Sequence, residues 1–471
     1  YMPRQGGGAR GRQLATLGRI AQEKFIDPAV GKLLDELVSL TADLPYDDDT
    51  ASLVRVTRRQ YERSIKVSPD FVAEMYDHTA QIYDVWKEAR PKADFGMVAP
   101  YLEKSVALSR RYANFFPDHE HIADPLIDSS DYGMSVSTVR PLFAQLREAL
   151  VPLVREISDR PEIDDSCLKQ HYPENKQREF GLKVLQAYGF DFERGRQDKT
   201  AHPFMIRFNT GDIRITTRYK DNDLSEGLFS TLHECGHALY EMGVNPDFDG
   251  TALGRGASSG VHESQSRLWE NLVGRSRLFW EYYYPQLQEV FPEQLNDVSL
   301  DTFYAAINKV APSLIRTDAD EVTYNLHVMI RFDLALNLLE GTLAVADLAE
   351  AWHARYEADL GVRAPNDTNG VLQDVHWYSG LIGGSFQGYT LGNVMSATFF
   401  EAALKAEPRV LAQIKQGEFA TLHRWLRTNV YHHGRKFTAA ELVERVSGEP
   451  LSIDPYIAYL HKKYGELYDL G

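Results

Sequence analysis

The sequence is poor in cysteine and in long apolar runs. Its 471 residues contain two cysteines, Cys167 and Cys235, which are too few for a disulfide framework in a chain of this length. We therefore expect a reducing, cytoplasmic setting. No segment reaches the run of about 18 uncharged apolar residues that a membrane-spanning helix needs, so we expect no membrane partner.

Positive charge is also in short supply. The chain has 51 Lys and Arg against 67 Asp and Glu, which gives a formal net charge of −16 at pH 7. A field of this sign repels phosphate backbones and anionic lipid, which argues against nucleic acid as a partner. With 43% apolar and 25% charged residues, the composition is that of a globular protein. The first residue is Tyr1 rather than Met, and we expect the natural chain to extend beyond it at the N-terminus.

Helix signals outnumber strand signals along the chain. Ser68-Pro69 places a capping residue before a proline at the first helical position, and it opens a run that we expect to end at Pro91. Gly189 is a C-terminal stop for a second helical run. Because neither an internal repeat nor a linker interrupts the pattern, the sequence predicts a single, mainly α-helical domain over residues 1–471.

One segment, residues 202–220, carries a strand pattern instead. Apolar and polar residues alternate on both sides of the turn at residues 209–211, which predicts a β-hairpin with a Gly-containing turn. On its second strand Asp212 and Arg214 are two residues apart and project from one face, opposite two isoleucines. A solvated polar face is the alternative to a functional one.

A metal-binding motif follows the hairpin. His233 and His237 form an HExxH sequence, and because residues four apart share a helix face, both imidazoles can bind one ion. Neutral imidazole is a natural Zn²⁺ ligand. Glu234 is rotated by about 100° from His233 and can take the proton of a bound water. Asp223 and Gly243 mark the expected start and end of this helix.

Spacing alone does not identify the third ligand that a zinc site needs. The sequence lacks the additional histidine that follows HExxH in metzincins. A loop and a second amphipathic helix downstream offer His262, Glu263 and Glu270. A charged helix face explains all three equally well, so the choice among them stays open on spacing.

Further motifs occur along the chain in a recognisable order. They are HPF at 202–204, DxRxT at 212–216, HExxH at 233–237, HESQSR at 262–267, IRTDADE at 315–321 and GxxQDxHW at 370–377. Together these motifs resemble those of the carboxypeptidase Taq family of zinc metallocarboxypeptidases. The resemblance covers nearly the whole chain.

This resemblance implies a fold and a chemistry. The implied fold is mostly α-helical, like those of neurolysin and angiotensin-converting enzyme, with a deep active-site cleft and a small β-sheet at its wall. Glu263 is the implied third ligand beside His233 and His237, and Glu234 acts as general base and then as general acid. Members of the family remove single amino acids from peptides with a free C-terminus, with broad specificity that does not favour proline. They use Zn²⁺, which Co²⁺ can replace, and are typically homodimers without secretion leaders.

The later motifs supply candidates for substrate recognition. A carboxypeptidase must bind a free carboxylate, and Arg316 is the leading candidate because arginine binds carboxylates through two parallel hydrogen bonds. We expect a helix to begin one residue after it, and a salt bridge to Asp318 or Asp320 is the alternative role. Asp212 and Arg214 are candidates for the substrate-binding wall, although their place on one strand face favours a buried pair that stiffens the sheet.

His376 and Tyr389 complete the candidate catalytic set. His376 can donate a hydrogen bond to an oxyanion, or it can hold a metal ligand from outside. Tyr389 lies in a glycine-bracketed segment, where a phenol near the cleft can stabilise the same oxyanion.

Two other functions fit part of the same pattern. The same metal chemistry in a helical cleft would serve an endopeptidase or a dipeptidyl carboxypeptidase. A helical scaffold with a relic metal site is the non-enzymatic alternative, against which the intact glutamate of the HExxH argues. The sequence favours the metallocarboxypeptidase.

Overall fold

A computed structural model describes residues 7–470, apart from the side chains of residues 7, 8, 11, 12 and 15 in the first helix. Tyr1, on which the expectation of a longer natural chain rests, lies outside the described residues. Over the described range the protein is mainly α-helical with one small sheet, as the sequence predicted.

Eight helices precede the sheet in the described part of the chain. They are α1 (Gly7–Phe25), α2 (Pro28–Leu40), α3 (Asp49–Lys66), α4 (Pro69–Lys92), α5 (Ala99–Ala113), α6 (Asp124–Ser130), α7 (Val136–Ser158) and α8 (Glu174–Tyr188). The strands are β1 (Gly195–Lys199), β2 (Phe204–Asn209) and β3 (Asp212–Thr217).

Twelve further helices follow the sheet, up to residue 470. They are α9 (Leu224–Gly243), α10 (Ser259–Arg267), α11 (Arg277–Val290), α12 (Pro292–Leu295), α13 (Leu300–Ile307), α14 (Thr323–Glu340), α15 (Leu348–Leu360), α16 (Gln387–Ala406), α17 (Val410–Ile414), α18 (Ala420–Asn429), α19 (Ala439–Ser447) and α20 (Asp454–Tyr468). A π-helical turn, Leu268–Val273, continues α10. Within residues 7–470 no helix combines the length and the apolar character needed to cross a bilayer.

Two of the helix ends before the sheet follow the sequence signals, and a third does not. Ser68 caps α4 through its side chain, and Gly189 ends α8 in the left-handed conformation at φ 98°. Pro91 was expected to end α4, but the helix continues through it to Lys92. A proline in the last turn removes only one intrahelical donor, so the helix tolerates it. The left-handed Ala93 ends the helix instead.

The predicted hairpin supplies two of the three strands. β3 is central, antiparallel to β2 and parallel to β1. Ile213 and Ile215 of β3 are fully buried, and β3 packs on α9. The opposite face is open, with Phe204 and Ile206 of β2 exposed by 45% and 41%. The sequence did not predict β1, because its residues are mostly polar and show no alternation of apolar and polar side chains. It pairs with β3 through backbone hydrogen bonds at one edge of the sheet.

Two glycines allow α10 to lie unusually close to its neighbours. An added Cβ on Gly236 of α9 would stand 2.4 Å from the carbonyl oxygen of Gln265 in α10. An added Cβ on Gly392 of α16 would stand 2.5 Å from Cβ of Glu263. Because neither position carries a side chain, Glu263 fits between α9 and α16. This packing brings its carboxylate towards the HExxH motif.

Candidate metal centre

Helix α9 carries the HExxH motif and begins where the sequence predicted. The Asp223 side chain accepts hydrogen bonds from the backbone N–H groups of Ser225 (2.9 Å) and Glu226 (3.4 Å). Glu226 does not complete a reciprocal capping box, because its carboxylate pairs with Arg218 and Lys220. The helix ends at Gly243, as expected.

Three side chains from α9 and α10 converge on one point. Nε2 of His233 and Nε2 of His237 lie 3.7 Å and 3.4 Å from the same oxygen, Oε2 of Glu263. One ligand atom from each of the three residues lies within 4.8 Å of the others. Atoms that bind a tetrahedral ion at about 2 Å stand ~3.3 Å apart, so this spacing fits a single metal ion.

Outer hydrogen bonds orient both imidazoles. Nδ1 of His233 is 2.9 Å from Oε2 of Glu270, and Nδ1 of His237 is 2.7 Å from Nδ1 of His262. Each ring is therefore held by Nδ1 and presents Nε2 to the centre. His262 and Glu270, which spacing had left as alternatives to Glu263, contact the imidazoles from outside.

Arg267 fixes the carboxylates around the centre. Its Nε donates to Oε1 of Glu263 at 2.8 Å, which leaves Oε2 directed at the imidazoles, and Nη1 lies 3.3 Å from Oε2 of Glu270. Burial alone would raise the pKa of Glu263, but Arg267 and the two imidazoles lower it well below its usual range. Arg267 likewise outweighs burial at Glu270, whose pKa falls to about 2. Both groups are thus carboxylates at neutral pH.

Glu234 differs from these paired carboxylates. Its side chain is buried, and no described residue donates a hydrogen bond to it. Burial, reinforced by the nearby Glu263 carboxylate, raises the pKa of Glu234 to about 7. A carboxyl group that titrates near neutrality can both accept and return a proton.

The donor set fits a divalent transition metal. Two imidazole nitrogens and one carboxylate oxygen are characteristic protein ligands of a catalytic zinc ion. Burial lowers the pKa of His237 to about 4, so this imidazole is neutral and able to bind a metal at physiological pH. The space left by Gly236 and Gly392 admits the third ligand.

A second group of polar side chains lies beside the metal centre, and we call it the loop cluster. Nε of Arg316 donates to Oδ2 of Asp374 at 2.6 Å, and Oδ1 of Asp374 contacts Nδ1 of His376. Nε2 of His376 is 3.2 Å from the hydroxyl of Tyr389. Tyr324 joins the cluster to the metal centre, because its hydroxyl accepts from Nη1 of Arg316 at 2.9 Å and Arg267 stacks over its ring.

The surroundings of Arg316 differ from the sequence prediction in two respects. Arg316 lies in a short 3₁₀ turn, and the following helix begins at Thr323 rather than beside it. Its salt-bridge partner is Asp374 rather than Asp318 or Asp320. Asp320 instead accepts hydrogen bonds from the backbone N–H groups of Thr323 and of the residue before it, which is why α14 begins there. Nη2 of Arg316 has no hydrogen-bond partner among the described residues.

Asp212 and Arg214 form the expected pair, but they are not buried. Two hydrogen bonds of 2.8 Å join the carboxylate to the guanidinium on the outer face of the sheet. The side chains are 39% and 41% exposed, so the expectation of a buried pair was wrong. The pair lies on the solvent side because Ile213 and Ile215 occupy the face that packs on α9.

Several residues of the site were not found from the sequence. Arg267 follows Glu263 by four residues, and Glu241 follows His237 by four, so each continues the helix face of a proposed ligand. This spacing was a usable signal. Asp374 lies in the GxxQDxHW motif but had no role assigned to it, and Tyr324 had no signal, because only tertiary packing brings the two beside Arg316.

The comparisons with known proteins agree over the whole chain. Residues 1–464 match the profile of the family described as carboxypeptidase Taq (M32) metallopeptidase. The thermostable carboxypeptidase 1 of Thermus thermophilus is 42% identical, with 99% of this chain and 93% of the relative covered. Carboxypeptidase 1 of Bacillus subtilis is 37% identical over 96% of this chain and 91% of the relative.

Solved structures give the same result. The M32 carboxypeptidase of Deinococcus radiodurans superimposes with a TM-score of 0.96 at 50% identity, covering 100% of this chain and 94% of its own. The carboxypeptidase of Pyrococcus furiosus has a TM-score of 0.94 at 33% identity, covering 98% of this chain and 93% of its own. The chain belongs to the carboxypeptidase Taq (M32) family of metallopeptidases.

Proposed function

We propose that this chain is a zinc-dependent metallocarboxypeptidase that hydrolyses the last peptide bond of peptides with a free C-terminus. It releases single amino acids with broad specificity and does not favour proline. The observation that carries the proposal is the convergence of His233, His237 and Glu263 on one point, with the unpaired Glu234 beside them.

The proposed metal ligands are Nε2 of His233, Nε2 of His237 and Oε2 of Glu263. Zinc is the proposed cofactor, and Co²⁺ is proposed to be able to replace it. Three protein ligands of this kind are typical of catalytic zinc sites, in which a fourth position is left for water or substrate. Zinc bound there supplies the Lewis acid that polarises the scissile carbonyl and makes water a nucleophile near neutral pH.

Glu234 is the proposed proton carrier. Its carboxylate takes the proton of the attacking water and returns it to the leaving amine, so the peptide C–N bond breaks as a neutral amine departs. Tyr389 is the proposed donor to the carbonyl oxygen as negative charge develops there. Because burial raises the pKa of Tyr389 well above its usual range, the phenol keeps its proton.

The proposed carboxylate-binding residue is Arg316. It is buried and has one guanidinium nitrogen, Nη2, without a partner among the described residues. A second arginine lies beside this cluster, because the buried Arg331 stacks on Trp377 at 3.8 Å, and its guanidinium nitrogens have no hydrogen-bond partner among the described residues. Two arginines against the single Asp374 favour an incoming anion such as a substrate C-terminus.

The remaining assignments complete the proposal. Asp212 and Arg214 form part of the substrate-binding wall, on the open face of the sheet. The chain acts as one catalytic domain, in the cytoplasm, and as a homodimer. Sedimentation of the purified protein at several concentrations measures the last of these directly.

One experiment on one sample separates the candidate functions. The purified protein is assayed for zinc by mass spectrometry, and its digestion of a peptide is followed over time. We expect about one zinc per chain and a ladder of products that shorten one residue at a time from the C-terminus, with weak release of proline. Internal fragments or released dipeptides would indicate the endopeptidase or the dipeptidyl carboxypeptidase. Stoichiometric zinc without hydrolysis across a peptide library would indicate a scaffold.

A further inference from the structure

The two imidazoles of the metal centre are held by different kinds of group. A carboxylate, Glu270, contacts Nδ1 of His233 directly. At His237 a second imidazole, His262, stands in that place, and its other nitrogen, Nε2, lies 2.9 Å from Oε1 of Glu241. Each metal-site imidazole is therefore supported by a carboxylate. Glu270 supports His233 directly, whereas Glu241 supports His237 through the imidazole of His262.

The geometry determines where the protons lie in the series of hydrogen bonds from His237 through His262 to Glu241. If Nε2 of His237 binds a metal, a neutral ring carries its proton on Nδ1 and must donate it. Nδ1 of His262 must then accept, which puts the proton of a neutral His262 on Nε2. That N–H donates to Glu241, which can only accept because its carboxylate is ionised. Each hydrogen bond therefore fixes the direction of the next.

The series of polar contacts continues from Glu241 into the sheet. The backbone N–H of Gly256 donates to Oε1 of Glu241 at 3.1 Å, and Nε of Arg207 on β2 lies 3.0 Å from Oε2. Arg207 also pairs with Asp249, which accepts from the backbone N–H of Thr210 in the hairpin turn. The side chains of Glu241 and Arg207 are 6% and 10% exposed, so water screens this pair little.

We propose that His262 is a positioning residue for the metal, which acts through His237 and is itself held by Glu241 and Arg207. The inference rests on the proposed metal centre, and it gives His262 a role other than that of a ligand. Both of its nitrogens are engaged, so neither is free for the ion. Loss of His262 leaves Nδ1–H of His237 unpaired in a buried site and frees the ring to turn away.

Two substitutions separate positioning from packing. H262L keeps a side chain of similar bulk but offers no acceptor to His237. H262N offers Oδ1 in the place of Nδ1 and can still accept that proton. We expect the zinc dissociation constant to rise roughly 10- to 100-fold in H262L. In H262N we expect recovery to within a few-fold of the original value, because the hydrogen bond to His237 is restored.

The matched control is H78L, on α4. His78 is buried, and its Nε2 forms a 2.9 Å hydrogen bond with Ser105, so the change removes a comparable contact outside the metal centre. We expect H78L to lower the melting temperature of the metal-free protein and to leave its zinc affinity unchanged. Should H262L fail to fold, H262F keeps a ring at this position without an acceptor and takes its place in the comparison.

The measurement is competition for zinc with a chelating indicator, together with the melting temperature of each metal-free protein. H262L affinity within twofold of the unsubstituted protein would overturn the inference, as would equal losses in H262L and H262N. If the unsubstituted protein itself binds no zinc, the proposed function fails. If it binds zinc and the H262L protein binds equally well, only the role of His262 fails.

Discussion

The metal centre and the loop cluster are neighbours built on different principles. His233, His237 and Glu263 come from two adjacent helices, and each is held from outside by a separate partner. In the loop cluster Arg316 and His376 share one carboxylate, Asp374, which lies 58 residues from Arg316 in the chain. In the metal centre, therefore, helix spacing brings the two histidines together and each ligand has its own support, whereas the loop cluster depends on several contacts between separate elements.

This difference predicts where substitutions have the largest effects. We expect changes in the metal centre to remove either the proposed metal or the proposed proton carrier, which no other described residue is placed to replace. We expect changes in the loop cluster to act on the proposed substrate binding and charge stabilisation, which several groups share.

The largest effect is expected for Glu234→Gln. The amide keeps the shape of the side chain but cannot accept the proton of water, so we expect kcat to fall by about 10³- to 10⁴-fold. Zinc content should be unchanged, because Glu234 is not a proposed ligand. Turnover within tenfold of the original rate, in protein shown to be fully loaded with zinc, would remove Glu234 from its role.

Gly236→Ala tests whether the close approach of α9 and α10 builds the metal centre. The new Cβ would meet the backbone of Gln265 at 2.4 Å, so α10 and Glu263 must move away from the histidines. We expect zinc affinity to fall about 100-fold and stability to fall by ~1–3 kcal/mol. Chelator competition and thermal melting measure the two effects.

The control for this change is Gly465→Ala in α20. Gly465 has open space where its Cβ would be, so alanine should leave zinc affinity unchanged and stabilise the helix by up to ~1 kcal/mol. Unchanged zinc binding in both variants would mean that the spacing of α9 and α10 does not control the third ligand.

The same contrast explains what the sequence could predict. The two histidines, the cap at Asp223 and the hairpin depend on spacing within single elements, and the structure has them where spacing put them. Glu263 came from resemblance to a family, because spacing could not choose it over His262. The pairing of Arg316 with Asp374 was missed because no local pattern connects a 3₁₀ turn to a loop 58 residues later.

Arg316→Lys tests carboxylate recognition in the loop cluster. Lysine keeps the positive charge but loses the planar fork, so we expect kcat/KM for peptides with a free C-terminus to fall about 10- to 100-fold. The residual rate on C-terminally amidated peptides should change much less. Arg147→Lys, which alters a guanidinium paired with Asp333 and Asp359, is the matched control and should affect neither substrate. Equal losses on both substrates in Arg316→Lys would assign Arg316 to structure alone.

The smallest effect is expected for Tyr389→Phe. When the ring of His376 carries one proton, Nδ1–H donates to Asp374, Nε2 can only accept, and the Tyr389 hydroxyl donates to it in the free protein. The phenol must give up this bond to reach an oxyanion, which reduces its net contribution. We expect kcat to fall about tenfold, with KM and zinc content unchanged.

The double variant Tyr389→Phe with His376→Asn shows whether the two residues act as a unit. If His376 places the hydroxyl before the phenol turns to the oxyanion, the double variant should lose little more activity than the more damaging single variant. Single effects that multiply in the double variant would show that the phenol and the imidazole act separately. The loop cluster would then resemble the metal centre, in which each side chain has its own support.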